Sequence, residues 1–313
     1  MEPDAPTIRL ENVSRWYGEV LGVNKIDVEI HPGITGLVGP NGSGKSTLMN
    51  LICGLLRAGQ GTVTVLGEPA WNNPAMQRRL GYCTQVDRFY ERFSGLQFVR
   101  ALLALHGRGT RWADRTARQA LERVHLADSM QRRIGTYSKG MRQRVKIALA
   151  LAHQPEVLVL DEPFNGLDPQ GRREMMQLFA DYAREGRTLL VSSHILHEVG
   201  EMTDRILMMS NGYVMAEGEV RHVRDLLRRH PFQVFIRCNR PRRLAAMMLD
   251  EPSVSSVEFT DADTVTVATS DPDAFYLRLN EVVLQDGIEL NMVTLADENV
   301  QSIYQYLAGK EHH

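Results

Sequence analysis

Cysteine is scarce in this chain. Cys53, Cys83 and Cys238 are the only three in 313 residues. The number is odd, the residues lie far apart, and no metal-ligand spacing appears. A disulfide framework and a zinc motif are therefore excluded, and the three are expected as small buried residues in a reducing compartment. An excess of charge of one sign is also missing. The formal net charge is −2, so no global basic field draws the chain to nucleic acid, and any such contact, or one with a membrane, must be local. No apolar run reaches the roughly 18 residues a membrane helix needs, and the N-terminus shows no signal-peptide pattern. The chain is expected neither to span a membrane nor to carry an export address. Internal repeats and low-complexity tracts are absent. The terminal Glu311-His312-His313 reads as a tag remnant rather than as part of the fold.

What is present is the composition of a soluble globular protein, 43% hydrophobic and 24% charged, long enough for about two domains. Period-2 alternation at Ile8–Val13, Ile26–Ile30 and Val63–Val65 predicts half-exposed antiparallel strands. Ile34–Val38 is an apolar strand-like run, and continuous apolar runs at Val157–Leu160 and Leu189–Val191 read as buried parallel strands. Residues 86–136 look helical, with Phe98, Leu102, Leu103 and Leu105 as an apolar stripe and Arg115, Arg118 and Arg123 among the polar positions. Ile206–Met209, Asn211-Gly212 and Tyr213–Met215 read as a hairpin with a tight turn. The pattern changes near His230-Pro231. Beyond it come a strand (Gln233–Arg237), a helix (Arg242–Asp250) and two strands (Ser255–Phe259, Thr264–Ala268). A helix (Asp273–Leu284), a strand (Ile288–Val293) and a last helix (Asn299–Leu307) follow. A β-α-β-β-α-β order predicts a small ferredoxin-like α+β domain.

Residues 39–46, Gly39-Pro40-Asn41-Gly42-Ser43-Gly44-Lys45-Ser46, have the phosphate-loop form G-x-x-x-x-G-K-[ST]. They lie between the apolar run ending at Val38 and a helix-like run from Lys45 to Leu56 that takes in Thr47. The glycines let successive amides turn inward around phosphates, and the helix N-terminus adds its positive dipole end. Lys45 can reach the β- and γ-phosphates, and the Ser46 hydroxyl can ligate Mg²⁺. A chance glycine-rich turn is the bland alternative; the complete motif with both flanks opposes it. The run Val157–Leu160 ends in Asp161-Glu162. Carboxylates at the end of a buried strand need a use, because buried charge is costly unless paired or metal-bound. Asp161 stands where an acid would hold Mg²⁺, and Glu162, one step on, is the candidate general base for the attacking water. Solvent-exposed acids at a strand end would be the plain reading without a phosphate loop.

Tyr137-Ser138-Lys139-Gly140-Met141 precedes a strong helix through Leu151. With these residues the chain resembles the nucleotide-binding subunits of ATP-binding cassette (ABC) transporters, whose signature is usually Leu-Ser-Gly-Gly-Gln before a helix. Ser138 and Gly140 match; Tyr137, Lys139 and Met141 depart, and the last two leave the rate of hydrolysis open. The resemblance covers roughly residues 7–225. It implies a P-loop NTPase cassette of the α/β class: a mixed-sheet core, an antiparallel β subdomain and a helical subdomain at about 86–150. The expected division is an ATP-binding domain at 1–230 and the accessory α+β domain at 231–313. Among site residues it implies Tyr17 stacked on adenine, with Trp16 as rival, and Gln85 meeting both Mg²⁺ and the attacking water. It also implies Asp168 in a loop that communicates across a dimer and His194 on the γ-phosphate. Ser138 and Gly140 would meet the γ-phosphate of nucleotide held by an opposing copy; locally Ser138 is also an N-cap.

The implied cofactors are ATP and Mg²⁺, and the implied partners a second copy of the chain and a separate integral membrane subunit. Asp87, Arg88, Phe89, Tyr90 and Phe93 are candidates for seating that subunit's helix, or else aromatics packed under the helical subdomain. The implied location is cytoplasmic, peripheral at the inner face of the cell membrane. The Tyr-Ser-Lys-Gly-Met form resembles the ATPase subunits of type-2 ABC exporters, many of which carry a C-terminal extension. Asp297–Gln301 loosely resembles their acidic terminal helix. A non-transport ABC ATPase on nucleic acid or the ribosome is the competing reading. It is opposed by the single phosphate loop and the lack of a basic stripe, so no nucleic-acid partner is expected. A binding module that has lost hydrolysis is opposed by the presence of Glu162 and His194.

Overall fold

A computed structural model of the chain describes residues 5–219 and 232–295. Contacts divide it into two units. The first holds residues up to 194 together with 198–217, and the second holds 195–197 and the residues from 218 on. The expected boundary at 230/231, the last helix Asn299–Leu307, the segment Asp297–Gln301 and the terminal Glu311-His312-His313 all lie outside the described residues.

The first unit contains two sheets. Strands β1 (Ile8–Tyr17), β2 (Val20–Ile30), β4 (Gln60–Val65) and β5 (Glu68–Pro69) pair antiparallel in the order β2-β1-β4-β5. The second sheet is built from β3 (Gly33–Val38), β6 (Leu80–Cys83), β7 (Val157–Leu160), β8 (Thr188–Ser193), β9 (Arg205–Ser210) and β10 (Tyr213–Glu219). Its order is β10-β9-β3-β8-β7-β6, with parallel pairing from β9 across to β6. Asn211 and Gly212, both at positive φ (42° and 84°), make the turn from β9 to β10, as a two-residue hairpin with Asn-Gly requires.

The apolar runs are buried on both faces because two cores flank the second sheet. Val157 and Val159 of β7 join a cluster with Ile8, Leu10 and Val28 of the antiparallel sheet and Leu48, Met49 and Ile52 of helix α1 (Lys45–Ile52). Leu158 and Leu160 point the other way, into a cluster with residues of α3 (Gly95–Ala104), α4 (Thr110–Arg123), α5 (Lys139–Leu151) and α6 (Pro169–Arg184). A short helix, α2 (Pro74–Gln77), precedes β6. Cys53 and Cys83 are buried free thiols of this unit.

Two expectations need correction. The run 86–136 is not one helical stretch. Residues 86–94 run outside any helix, and α3 starts where Ser94 and Gln97 form a capping box. Gly107 and Gly109, at φ 72° and 85°, separate it from α4. Leu105 leaves the apolar stripe, 82% exposed, because the helical period stops at Ala104. The helix from Lys45 ends at Ile52 rather than Leu56. Gly54 takes φ 67°, and a Cβ there would lie 2.2 Å from the Ala70 carbonyl, so the chain turns at the one residue that fits.

The second unit is a four-stranded antiparallel sheet in the order β12-β13-β11-β14. Its strands are β11 (Phe232–Cys238), β12 (Val254–Phe259), β13 (Thr264–Thr269) and β14 (Leu290–Leu295), and its helices Pro241–Met248 and Pro272–Asp286. One helix follows the first strand and one the third, which is the ferredoxin-like order. Its element ends lie within two residues of the sequence expectation. Val234, Ile236, Leu244, Val265, Phe275 and Leu279 form its core, and Cys238 is a buried free thiol. Among the described residues no helix is long and apolar enough to cross a membrane.

Candidate active site

The loop between β3 and α1 bends over a cleft of about 470 Å³. Its shape depends on glycine. Gly44, the N-cap of α1, has φ 101°, and a Cβ there would lie 2.5 Å from the Gly22 carbonyl; a Cβ on Gly39 would lie 2.4 Å from the Met209 carbonyl. With no side chain, Gly44 cannot cap the helix, so the first-turn amides of α1 remain donors for an anion. Lys45 is buried, its Nζ donating to the carbonyls of Gly39 (2.7 Å) and Pro40 (3.0 Å). Burial lowers its pKa, while Glu162 and then Asp161 oppose that shift.

Across the cleft stands the acidic pair at the end of β7. The Ser46 hydroxyl donates to Asp161 Oδ2 at 2.9 Å, and Ser192 Oγ donates to Asp161 Oδ1 at 2.8 Å. Glu162 breaks the strand with φ 50°, a conformation uncommon for a non-glycine residue. Its amide donates to the same Ser192 Oγ at 2.9 Å, and its carboxylate meets His194 Nδ1 at 3.0 Å. Burial pushes the Glu162 carboxyl above the usual range, against the pull of His194 and then Lys45. Gln85, just past β6, lines the same cleft, as do Asn41, Gly42, Ser43 and Thr47.

Tyr17 forms the far wall, and Trp16 is not among the lining residues. Two contacts hold the Tyr17 ring, and the absence of a side chain at Gly22 leaves room for it. Its hydroxyl is 3.4 Å from Thr47 Oγ1, the Arg15 guanidinium lies 5.5 Å from the ring centre, and a Cβ on Gly22 would come within 2.9 Å of the ring. Ser138, Gly140 and Asp168 are not brought to the cleft. Ser138 caps α5 and is exposed, accepting from the Met141 amide at 3.2 Å. Gly140 packs so close to Gly166 that a Cβ would lie 2.9 Å from its carbonyl. Asp168 caps α6, accepting from the Gly171 amide at 3.0 Å.

Sequence reasoning missed Ser192, the hydroxyl shared by both acids, and Lys146, a buried lysine of α5 paired with Asp87 at 2.6 Å. A serine ending a buried strand was visible, but its partners lie 30 and 31 residues away.

A glycine cradle at a helix N-terminus, a lysine inside it, and a hydroxyl–carboxylate pair opposite define a P-loop nucleoside-triphosphate hydrolase. The model of the family described as "ABC transporter" matches residues 23–165. The bacitracin transport ATP-binding protein BcrA of Enterococcus faecalis is 31% identical over 96% of this chain and 96% of its own length. The Nod factor export ATP-binding protein I of Rhizobium meliloti is 30% identical over 98% of this chain and 90% of its own. Among solved structures, a dimeric ATP-binding cassette in a post-hydrolysis state, bound to ADP and Pi, aligns with a TM-score of 0.63 at 25% identity. It covers 68% of this chain and 99% of that one. The chain belongs to the ABC transporter family and is one of its ATP-binding, ATP-hydrolysing subunits.

Proposed function

We propose that this subunit powers export through a separate membrane subunit, two copies closing on ATP and separating after hydrolysis. The observation that carries the reading is the split between the two halves of the site. The phosphate loop, Asp161, Glu162, Gln85 and Tyr17 share one cleft, while Ser138 and Gly140 stand outside it at an exposed helix start. A second copy, facing the first, supplies Ser138 and the N-terminus of α5 to the γ-phosphate, with Asp168 at the contact. Export is favoured by the likeness to the Nod factor export protein. The ATP-binding domain is taken as residues 1–230 and the accessory domain as 231–313.

In this reading Tyr17 stacks on the adenine, and the loop amides and Lys45 bear phosphate charge. Glu162 takes the proton of the attacking water, Gln85 orients that water, and His194 holds Glu162 and reaches the γ-phosphate. The site also fits Mg²⁺. The Ser46 hydroxyl and the buried Asp161 carboxylate, 2.9 Å apart, are hard oxygen donors, and Gln85 lines the same cleft. When bound, the ion would neutralise charge on the β- and γ-oxygens.

Complementation tests the shared site. Lys45→Ala lacks the loop cation and Ser138→Arg blocks the opposing serine, so each alone is expected inactive. Mixed, they form one sound site per heterodimer and recover up to about half of the parent rate per heterodimer, measured as phosphate release. No recovery at any ratio would remove the two-copy site.

The membrane subunit's docking surface is proposed in the groove between α3 and α4. The groove, about 820 Å³, is lined by Phe93, Gln97, Arg100, Arg111, Asp114 and Arg115 among others. Of the five residues expected from the sequence, Phe93 lines it. Phe89 packs on Phe98 with ring centres 5.2 Å apart, and Asp87 is engaged by Lys146. Tyr90 is 67% exposed and Arg88 is exposed. Arg111→Glu with Arg115→Glu is expected to leave the isolated subunit's ATPase rate within about twofold, since surface changes rarely perturb a distant site. The same pair abolishes its recovery with native membranes; undiminished recovery would move the docking surface elsewhere. In this reading the subunit is peripheral at the cytoplasmic face of the membrane, held there by its membrane partner.

A further inference from the structure

Gln85 sits on a segment that the sheet does not hold. The ladder between β6 and β7 stops at Cys83, whose carbonyl accepts from the Asp161 amide at 2.8 Å. Beyond it the Val86 amide meets the Thr84 hydroxyl at 3.3 Å, a bond within the same turn. What ties this segment to a rigid element is Lys146. Its side chain, buried on α5, donates from Nζ to the Gln85 carbonyl at 3.2 Å and pairs with Asp87 Oδ1 at 2.6 Å. A lysine is costly to bury without partners. Here both partners belong to one stretch, the residue lining the nucleotide cleft and the residue two further on.

We propose that Lys146 is the positioning residue for Gln85. It clamps the glutamine's backbone to α5, so that one helix governs where Gln85 stands and where Ser138 stands. Ser138 begins α5, and Lys146 lies eight residues on, about 12 Å along the axis at 1.5 Å per residue. A helix of this length moves as a unit, so any shift of Ser138 toward a facing copy carries the Gln85 carbonyl with it. Placement of the water-orienting amide is thereby linked to closure of the two copies. This inference rests on reading Gln85 as the residue that orients the water.

The experiment compares Lys146→Met, Asp87→Asn, their double variant, Lys146→Arg and Gln85→Ala in the purified full chain. Lys146→Met keeps the aliphatic stem and removes both bonds. It is expected to lower kcat about tenfold or more, since a misplacement of about 1 Å can cost up to 100-fold. KM for ATP should stay within about twofold, and amide exchange over residues 84–88 should accelerate. The double variant should be no slower than Lys146→Met alone, because both changes act through one clamp, and Lys146→Arg should recover part of kcat. If Lys146→Met does not fold, Asp87→Asn carries the test: faster exchange over 84–88 supports the clamp and unchanged exchange overturns it. A kcat that falls in Gln85→Ala but not in Lys146→Met overturns the clamp and leaves the Gln85 reading standing. Effects of Lys146→Met and Asp87→Asn that multiply in the double variant also overturn it. An unaltered kcat in Gln85→Ala overturns both.

Discussion

Glu162→Gln is expected to lower ATP turnover by roughly 10²- to 10⁴-fold, the usual contribution of a positioned general base, while ATP remains bound between two copies. The amide keeps the shape and still faces His194, but it cannot accept the proton of water. Size-exclusion chromatography with ATP should show a persistent dimer of the variant and a transient one of the parent. Phosphate release at the parental rate would take Glu162 out of the role. The pH dependence has a definite sign. The base works ionised, and burial raises its pKa above the usual carboxylate range, so the parental rate should climb with pH through that raised value and the residual rate of the variant should not. Stability runs the opposite way. A carboxyl whose folded pKa lies above its unfolded one favours the folded state while protonated, and that contribution is lost as pH rises through the folded value. At neutral pH the variant should therefore melt no lower than the parent, which a thermal scan without nucleotide reads.

Lys45→Ala is expected to weaken ATP binding about 10- to 100-fold, the equivalent of one charge-assisted hydrogen bond of about 1.5–3 kcal/mol. Lys45 is held inside the loop by the Gly39 and Pro40 carbonyls, so its charge is already placed and little side-chain entropy is lost on binding. Burial lowers its pKa, so parental affinity should fall as pH rises, beginning below the ordinary lysine range. In the alanine variant that slope disappears. Calorimetric titration across pH measures both effects; equal affinities at neutral pH would contradict the role of Lys45.

The phosphate loop and the acidic pair of the cleft were readable because each belongs to a short run with local meaning. Tyr17 and Gln85, by contrast, were implied only by the resemblance, and Val20, Leu21 and Gly22, which also line the cleft, were not foreseen. The loop 39–46 needs its glycines for the backbone it adopts, and Asp161-Glu162 ends an apolar run that cannot carry charge idly. The antiparallel strands, the hairpin at Asn211-Gly212 and the order of the second unit were legible for the same reason: alternation, turn chemistry and helical period are each visible within about ten residues. What escaped was long-range. Ser192 acquires its role from two acids about 30 residues away, and Lys146 from a loop 61 residues earlier. The stretch 86–94 reads as helical by composition, yet the capping box at Ser94 starts the helix later, and Phe89 packs on Phe98 from outside it. Leu105 fits the stripe by spacing, but spacing cannot tell where a helix stops.

Strand β7 serves two cores in alternation, odd-numbered valines to one side and even-numbered leucines to the other. The aim of its terminal acids is therefore a matter of counting. One residue gained or lost upstream would swap the sides to which valine and leucine are turned, and would carry both carboxyl groups off their mark at the same stroke. Exchanges among branched aliphatics leave the count alone, so drift in this strand is free in side-chain identity and closed in length.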